Sequence, residues 1–599
     1  MPRTGSSSPR RWFTVALLVA FGTAVACGKD RAPDAVTARA APRGPNTGAG
    51  STGVGGTVVI ATGADAETLF PPLAQGLTAR QVVDLVFEPL AELGADLNTV
   101  GDAGFRPRLA RAWRWAPDSL SIAFALDPRA RWHDGAPVTA EDVRFTFAVY
   151  RDSAVASPAA ADVAGVDSVT APDAHTAVFW FSRRSSEQFY TAAARLRIVP
   201  AHLLAGVPRA DFAAAPFARH PVGSGRFRFA RWDPQRRLEL VADSTHPLGR
   251  PRLDRVVWLV APSPPAAFNL LLSGAADVLE AVRPEQLAAV ARRPELTTIA
   301  YPGLQYGFLV FNLRGGEAPP RGGRGAEPLF AERALRRALA LALDRPAMVR
   351  NVFDTLARVP VGPFARAQPL VDTAARQLLP PDPAAARRAL DALGWRAAAA
   401  PTSDGVAPAA RSRGGRPLAF SVIVPRSSEA RTRLAVLVQE QLRQVGVAAR
   451  VEPLEFPAFL DRLARRRFDA AVNMWTLDSP SPWGVRELWG SEAARAVGGP
   501  NHAGYASAAF DAAVDSARDA RGAADARRLL AGAQRVINDD APAVWLFEPR
   551  PVLAVHRRLR VTGVRADAWW AGLAEWGIAP GEAIARDGMG RRGVTGVVR

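Results

Sequence analysis

Apolar side chains recur at helical spacing in ARTRLAVLVQEQLRQVG (430–446): Leu434, Leu437, Val438, Leu442 and Val445 share one face, and Gly446 supplies a stop. The same periodicity predicts helices in AERALRRALALALDRPAMVRNVF (331–353) and PAAARRALDALGW (383–395). Shorter runs rich in β-branched and aromatic residues predict strands. They are TVVIAT (57–62), VVWLVAP (256–262), YGFLVFN (306–312), LAFSVIVP (418–425) and AVWLF (543–547). Strands and helices mix from residue 57 to about 576, so the predicted class is α/β. A single core stops growing well below 599 residues, which calls for two or three lobes. Three stretches lack any such pattern: the Gly-, Pro- and Ala-rich 28–55, the Ala-, Gly- and Arg-rich 397–416, and the Gly- and Arg-rich tail from about 577.

The amino terminus has a pattern of its own. Arg10 and Arg11 precede the apolar run FTVALLVAFGTAVA (13–26), which ends in small residues just before Cys27. As a helix this run would span about 21 Å, short of the ~30 Å hydrocarbon core, so it describes a secretory signal better than a retained membrane span. Ala24-Val25-Ala26-Cys27 resembles a bacterial lipobox, whose cysteine is acylated and becomes the new amino terminus. A plain signal peptide with an incidental cysteine is the alternative. Residues 28–55 would then be a flexible tether. The G-x-G-x-x-G at Gly48, Gly50 and Gly53 lies in this tether and precedes a strand, so it does not fit a dinucleotide site.

Composition mainly excludes. The formal charge of +18 would suit nucleic acid, but the basic residues are spread along the chain and interleaved with acids, not gathered into a stripe. Lys29 is the only lysine, which removes phosphate-loop and pyridoxal enzymes from the body of the chain. Cys27 is the only cysteine, so there is neither an internal disulfide nor a cysteine-built zinc site. The seven histidines include no H-E-x-x-H, and no metal or cofactor is expected.

The densest cluster of candidate chemistry is RWHDGAPVTAEDVRFTF (131–147). Its groups also read as punctuation. Asp134-Gly135 is a turn, Thr139 an N-cap and Asp142 its reciprocal partner three residues on. Glu141 and Asp142 face the positive end of a helix dipole. On this reading His133 and the three carboxylates are structural.

ALDPRARWHDGAPVTAEDVRFTF (125–147) resembles a signature of the large extracytoplasmic solute-binding proteins of peptide and nickel importers, family 5. PVGSGRFRF (221–229), SGAADV (273–278), FNLRGG with LRRALALALDRPAMV (335–349), RRFDAAVNMWTLD (466–478), NHAGYASAAFDAAV (501–514) and INDDAPAVWLF (537–547) resemble further family segments in the same order. The resemblance implies a two-lobed, type II periplasmic-binding-protein-like clamshell, monomeric and without chemistry of its own. Lobe I would comprise 56–303 and 545–580, with an extra subdomain at about 95–218, and lobe II would comprise 304–544. Residues 1–27 would be the lipoprotein signal and 581–599 a disordered tail. Hinge strands would lie near YGFLVF and AVWLF.

The resemblance also implies a ligand: an oligopeptide or similar small solute, delivered to the permease of an ABC importer from the periplasm or cell envelope. The protein would be tethered there through Cys27. In peptide-binding members the aspartate of W-x-x-D pairs with the ligand's amino-terminal ammonium, which points to Asp478, with Trp475 as cleft floor. Ser481 stands where relatives often carry a second aspartate. The competing assignments are an ion pair of Asp478 with one of the many arginines and a core role for Trp475. A nickel chelate, sugar or opine would suit the same fold. A hydrolase would need a nucleophile and base, and the chain has no G-x-S-x-G elbow.

Overall fold

The computed structural model describes residues 55–314, 328–374, 378–397, 410–496, 498–520 and 522–591. The predicted signal, Cys27, the tether up to residue 54, and 398–409 of the second patternless stretch lie outside the described residues.

Thr57–Thr62 is buried along its whole length, because Val58 and Ile60 enter one core and Val59 and Ala61 another. It is therefore a central strand, covered on both faces, and it pairs in parallel with Arg255–Val260 and Val278–Leu279. Leu296–Ala300, Val552–His556, Arg237–Ala242 and Phe227–Asp233 complete a seven-stranded sheet, the centre of the first lobe. A four-stranded antiparallel sheet built from residues 110–180 forms the extra subdomain. It shares a continuous core with the first lobe through Phe124, Phe179 and Trp132.

The second lobe is built on a six-stranded sheet. Ala419–Pro425 lies parallel to Ala448–Leu454 and Ala470–Thr476, whereas Gln305–Phe311 runs antiparallel to Ala470–Thr476 and to Ala543–Pro549. The amphipathic helix appears as Glu429–Gln444, with Leu434, Val438 and Leu442 buried and Gly446 at φ +81° just beyond its end. The long helix expected at 331–353 is two, Arg333–Leu341 and Arg345–Phe353. Asp344 caps the second by accepting from Ala347 N–H at 3.0 Å, and Pro346 in its first turn cannot continue the first.

The chain crosses between lobes at 301–304 and at 550–551. The crossings lie side by side, with Tyr301 N–H donating to Pro551 C=O at 3.0 Å. AVWLF therefore belongs wholly to the second sheet, and the return expected at 545 comes after Pro549. Its apolar residues would suit either sheet, and register with Gln305–Phe311 decides.

The tail expected to be disordered from 581 is held at least as far as Asp587. That carboxylate accepts from Thr57 N–H at 2.8 Å and pairs with Arg558 at 2.9 Å. Arg558, itself 1% exposed, also binds Asp277 at 2.7 Å and Thr57 C=O at 2.7 Å. A Gly- and Arg-rich segment is thus pinned by the buried Asp587 carboxylate and by Arg586, which reaches Asp277, neither of which composition distinguishes.

Candidate functional site

The polar groups of residues 131–147 are engaged in structural contacts. His133 accepts from Gly223 N–H at Nδ1 (3.2 Å) and donates from Nε2 to Gly225 C=O (2.8 Å). Burial holds its pKa down at about 4, which keeps the ring neutral in this role. Gly223 and Gly225 press against the Leu85 and Val86 carbonyls, where any Cβ would collide. The histidine turn and the PVGSG segment therefore lock together over the end of helix Leu77–Val86. Asp142 accepts from Thr139 N–H (2.8 Å), Trp132 Nε1 (3.3 Å) and Ala201 N–H (2.8 Å), and Asp134 bonds Ala136 N–H and His202. All three predicted structural roles stand: turn, cap and reciprocal cap.

The candidate edge for a ligand lies elsewhere. In open α/β sheets ligands gather outside the carboxyl ends of the strands. Here the parallel strands of the first lobe end at Thr62, Val260 and Leu279, and those of the second at Pro425 and Thr476. The two edges are joined across the lobes. Arg80, on helix Leu77–Val86, reaches Asp478 at 3.5 Å. Ser481 Oγ donates to Glu187 Oε2 at 2.8 Å, and Tyr190 Oη meets Ser479 Oγ at 3.0 Å. Ser186 N–H donates to Arg518 C=O at 3.0 Å. Val100 of the subdomain packs into the core of the second lobe.

Asp478 stands two residues past its strand, with 71% of its side chain exposed. Trp475 is 9% exposed and stacks on His502, with centroids 5.2 Å apart and planes at 25°. It sits within the core of its lobe. The two residues share one strand end but face unlike environments. Ser481 is occupied by the Glu187 contact and by capping Trp483 N–H (3.4 Å). A second aspartate there would set two carboxylates against each other.

Three groups at these edges carry no signal in the sequence. Arg431, in the first turn of Glu429–Gln444, contacts Asn473 Oδ1 at 3.5 Å and lies over the Phe459 ring at 5.9 Å. No carboxylate among the described residues pairs with it, and burial alone lowers its pKa to about 10. Glu280, just past Val278–Leu279, accepts only from neutral donors, and burial raises its pKa. Glu187 is raised to about 7, mainly by burial between the lobes. Among 75 basic and 57 acidic residues in the chain, nothing local marks these three. Among the described residues there is no metal-ligand cluster, and no helix is long and apolar enough to cross a membrane.

Comparison with known proteins agrees with this architecture. The chain is 24% identical over 462 residues to the oligopeptide-binding protein AppA of Bacillus subtilis, covering 75% of this chain and 79% of AppA. It is 24% identical over 509 residues to a probable D,D-dipeptide-binding periplasmic protein, DdpA, of Escherichia coli, covering 84% and 90%. The fold matches AppA solved with a nonapeptide (TM-score 0.67, 21% identity, 88% and 100% covered). It also matches NikZ of Campylobacter jejuni solved with Ni(L-His) (TM-score 0.69, 19% identity, 87% and 99% covered). Residues 104–496 match the family described as "Bacterial extracellular solute-binding proteins, family 5 Middle". With well over half its length matched and two lobes meeting at their strand ends, the chain belongs to the bacterial extracellular solute-binding proteins of family 5.

Proposed function

We propose that this protein captures short peptides between its lobes and passes them to the permease of an ABC importer, held at the cell envelope by an acylated Cys27. The single observation that carries the peptide reading is Arg431. It is a guanidinium at the strand-end edge, desolvated yet without a carboxylate among the described residues. A partly buried, unpaired cation of this kind is costly until an anion arrives, and a peptide carboxylate supplies one with matching fork geometry. Asp478 is the complementary group for the peptide's ammonium. Arg80 now takes that place, so capture exchanges one cationic partner for another across the lobes. The names of AppA and DdpA support the peptide class.

Three measurements test this. Native mass spectrometry of the purified protein should find co-purifying peptides. A di- to hexapeptide library should raise the melting temperature by mass action. If the library leaves both melting temperature and tryptophan fluorescence unmoved, the peptide reading is wrong. A Cys27→Ala variant should leave the membrane fraction and appear as soluble protein, and unchanged fractionation would overturn the anchor.

A further inference from the structure

Several buried acids of this chain meet arginine: Asp277 with Arg558, Glu239 with Arg255 and Arg237, Glu548 with Arg358 and Arg366. Glu280 does not. Its Oε2 accepts from Gln81 Nε2 at 2.6 Å and from Trp569 Nε1 at 3.0 Å. Both donors are fixed: Gln81 is fully buried and receives Trp258 Nε1 at 2.7 Å, and Trp569 packs against Trp570 and Trp576. The other oxygen, Oε1, has one long contact, 3.5 Å from Thr62 Oγ1. That hydroxyl also lies 3.2 Å from Ala64 C=O and 3.0 Å from Thr78 Oγ1, so its proton has better acceptors than Glu280.

The result is a carboxylate oriented through one oxygen and left with acceptor capacity on the other. It is partly buried, not sealed off, and lies past the end of Val278–Leu279, beside the end of Thr57–Thr62. Gln81, which holds it, is the neighbour of Arg80, the residue that reaches into the second lobe. Tyr301, at the first crossing, is close enough for its phenol to feel the Glu280 charge. The group therefore belongs to the edge on which the lobes close. Two neutral donors are a weak substitute for a counterion in a desolvated place, and an incoming cation would restore the balance.

We infer that Glu280 is a first-lobe subsite for a cationic side chain of the ligand, a lysine ammonium or an arginine guanidinium. The inference rests on the peptide reading above and adds to it a preference that Asp478 and Arg431, which address the peptide's termini, do not provide.

The test compares matched tripeptides carrying lysine, arginine or norleucine at one position, titrated calorimetrically into the wild type and Glu280→Gln. Glutamine keeps the shape and can still accept from Gln81 and Trp569, and its melting temperature controls for folding. The wild type should bind the cationic peptides ~tenfold more tightly than the norleucine peptide. In Glu280→Gln that ratio should fall to about one, with the norleucine affinity unchanged within about twofold. Agmatine is a non-peptide arm. If peptides bind with no cationic preference, or with a preference that survives Glu280→Gln, this inference is overturned while the peptide reading stands. If no peptide binds but agmatine stabilises the wild type and not the variant, the peptide reading fails and the Glu280 subsite stands. Should neither bind, both fail.

Discussion

Glu187 should make closure of the two lobes depend on pH. The closed arrangement places its carboxyl between the lobes, accepting from Ser481 of the opposite lobe, and burial raises its pKa from 4.5 to about 7. The groups facing it are Thr99, Ser481 and, at longer range, Arg195. Arg195 is already engaged by Asp162 and Tyr190, and its attraction does not overcome desolvation. On opening, water returns and the pKa falls to its ordinary value. The closed state then binds the proton more tightly, so closure is most stable below pH 4.5 and loses that stability as pH rises through about 7. Between pH 5.5 and 8 this amounts to roughly 25-fold in the closure constant, about 2 kcal/mol. At pH 6 the closed form holds about 0.9 proton more than the open form. Glu487, raised by burial on the other side of the same interface, acts in the same direction. Calorimetry of ligand binding at pH 6, in buffers of differing ionisation enthalpy, measures the uptake. It should approach one proton in the wild type and fall sharply in Glu187→Gln, which mimics the protonated form and should bind with a flatter pH profile. Equal uptake in the two proteins would refute the assignment.

Three further outcomes follow from named contacts. Arg558→Ala leaves Asp587 buried without its counterion and Asp277 with Arg586 alone, and should cost about 3–5 kcal/mol in urea unfolding, whereas Arg558→Met should cost less. His133→Ala unpairs Gly223 N–H and Gly225 C=O and should destabilise by ~2–3 kcal/mol, with the ligand affinity of the folded protein unchanged. An affinity loss in protein of unaltered melting temperature would instead restore a site role to His133. Arg431→Gln should weaken a peptide with a free carboxylate by ~10–100-fold and leave its amide unaffected, as read by tryptophan fluorescence.

Local rules predicted local things well. Helix Glu429–Gln444, its glycine stop, the capped helix Ala140–Arg151 and the central strands follow from periodicity and capping alone, because those depend on neighbours a few residues away. The ordered family segments likewise pointed to the clamshell. One miss was local and one was decided by a distant partner. The break at Asp344 came from a cap and proline hidden inside an apolar run, and AVWLF joined the second sheet through its register with Gln305–Phe311.

The site divides in the same way. The sequence by itself determined the class of the protein, the structural character of His133, Asp134 and Asp142, and the motif that leads to Asp478. Only the tertiary structure decided that Asp478 is exposed and bridged to Arg80, that Trp475 is core, and that Glu280, Arg431 and Glu187 lack the usual counterion. The reason is physical. A charge acquires functional meaning from its desolvation and from the partners it fails to find. In a chain this rich in arginine, those are fixed by contacts between residues hundreds of positions apart.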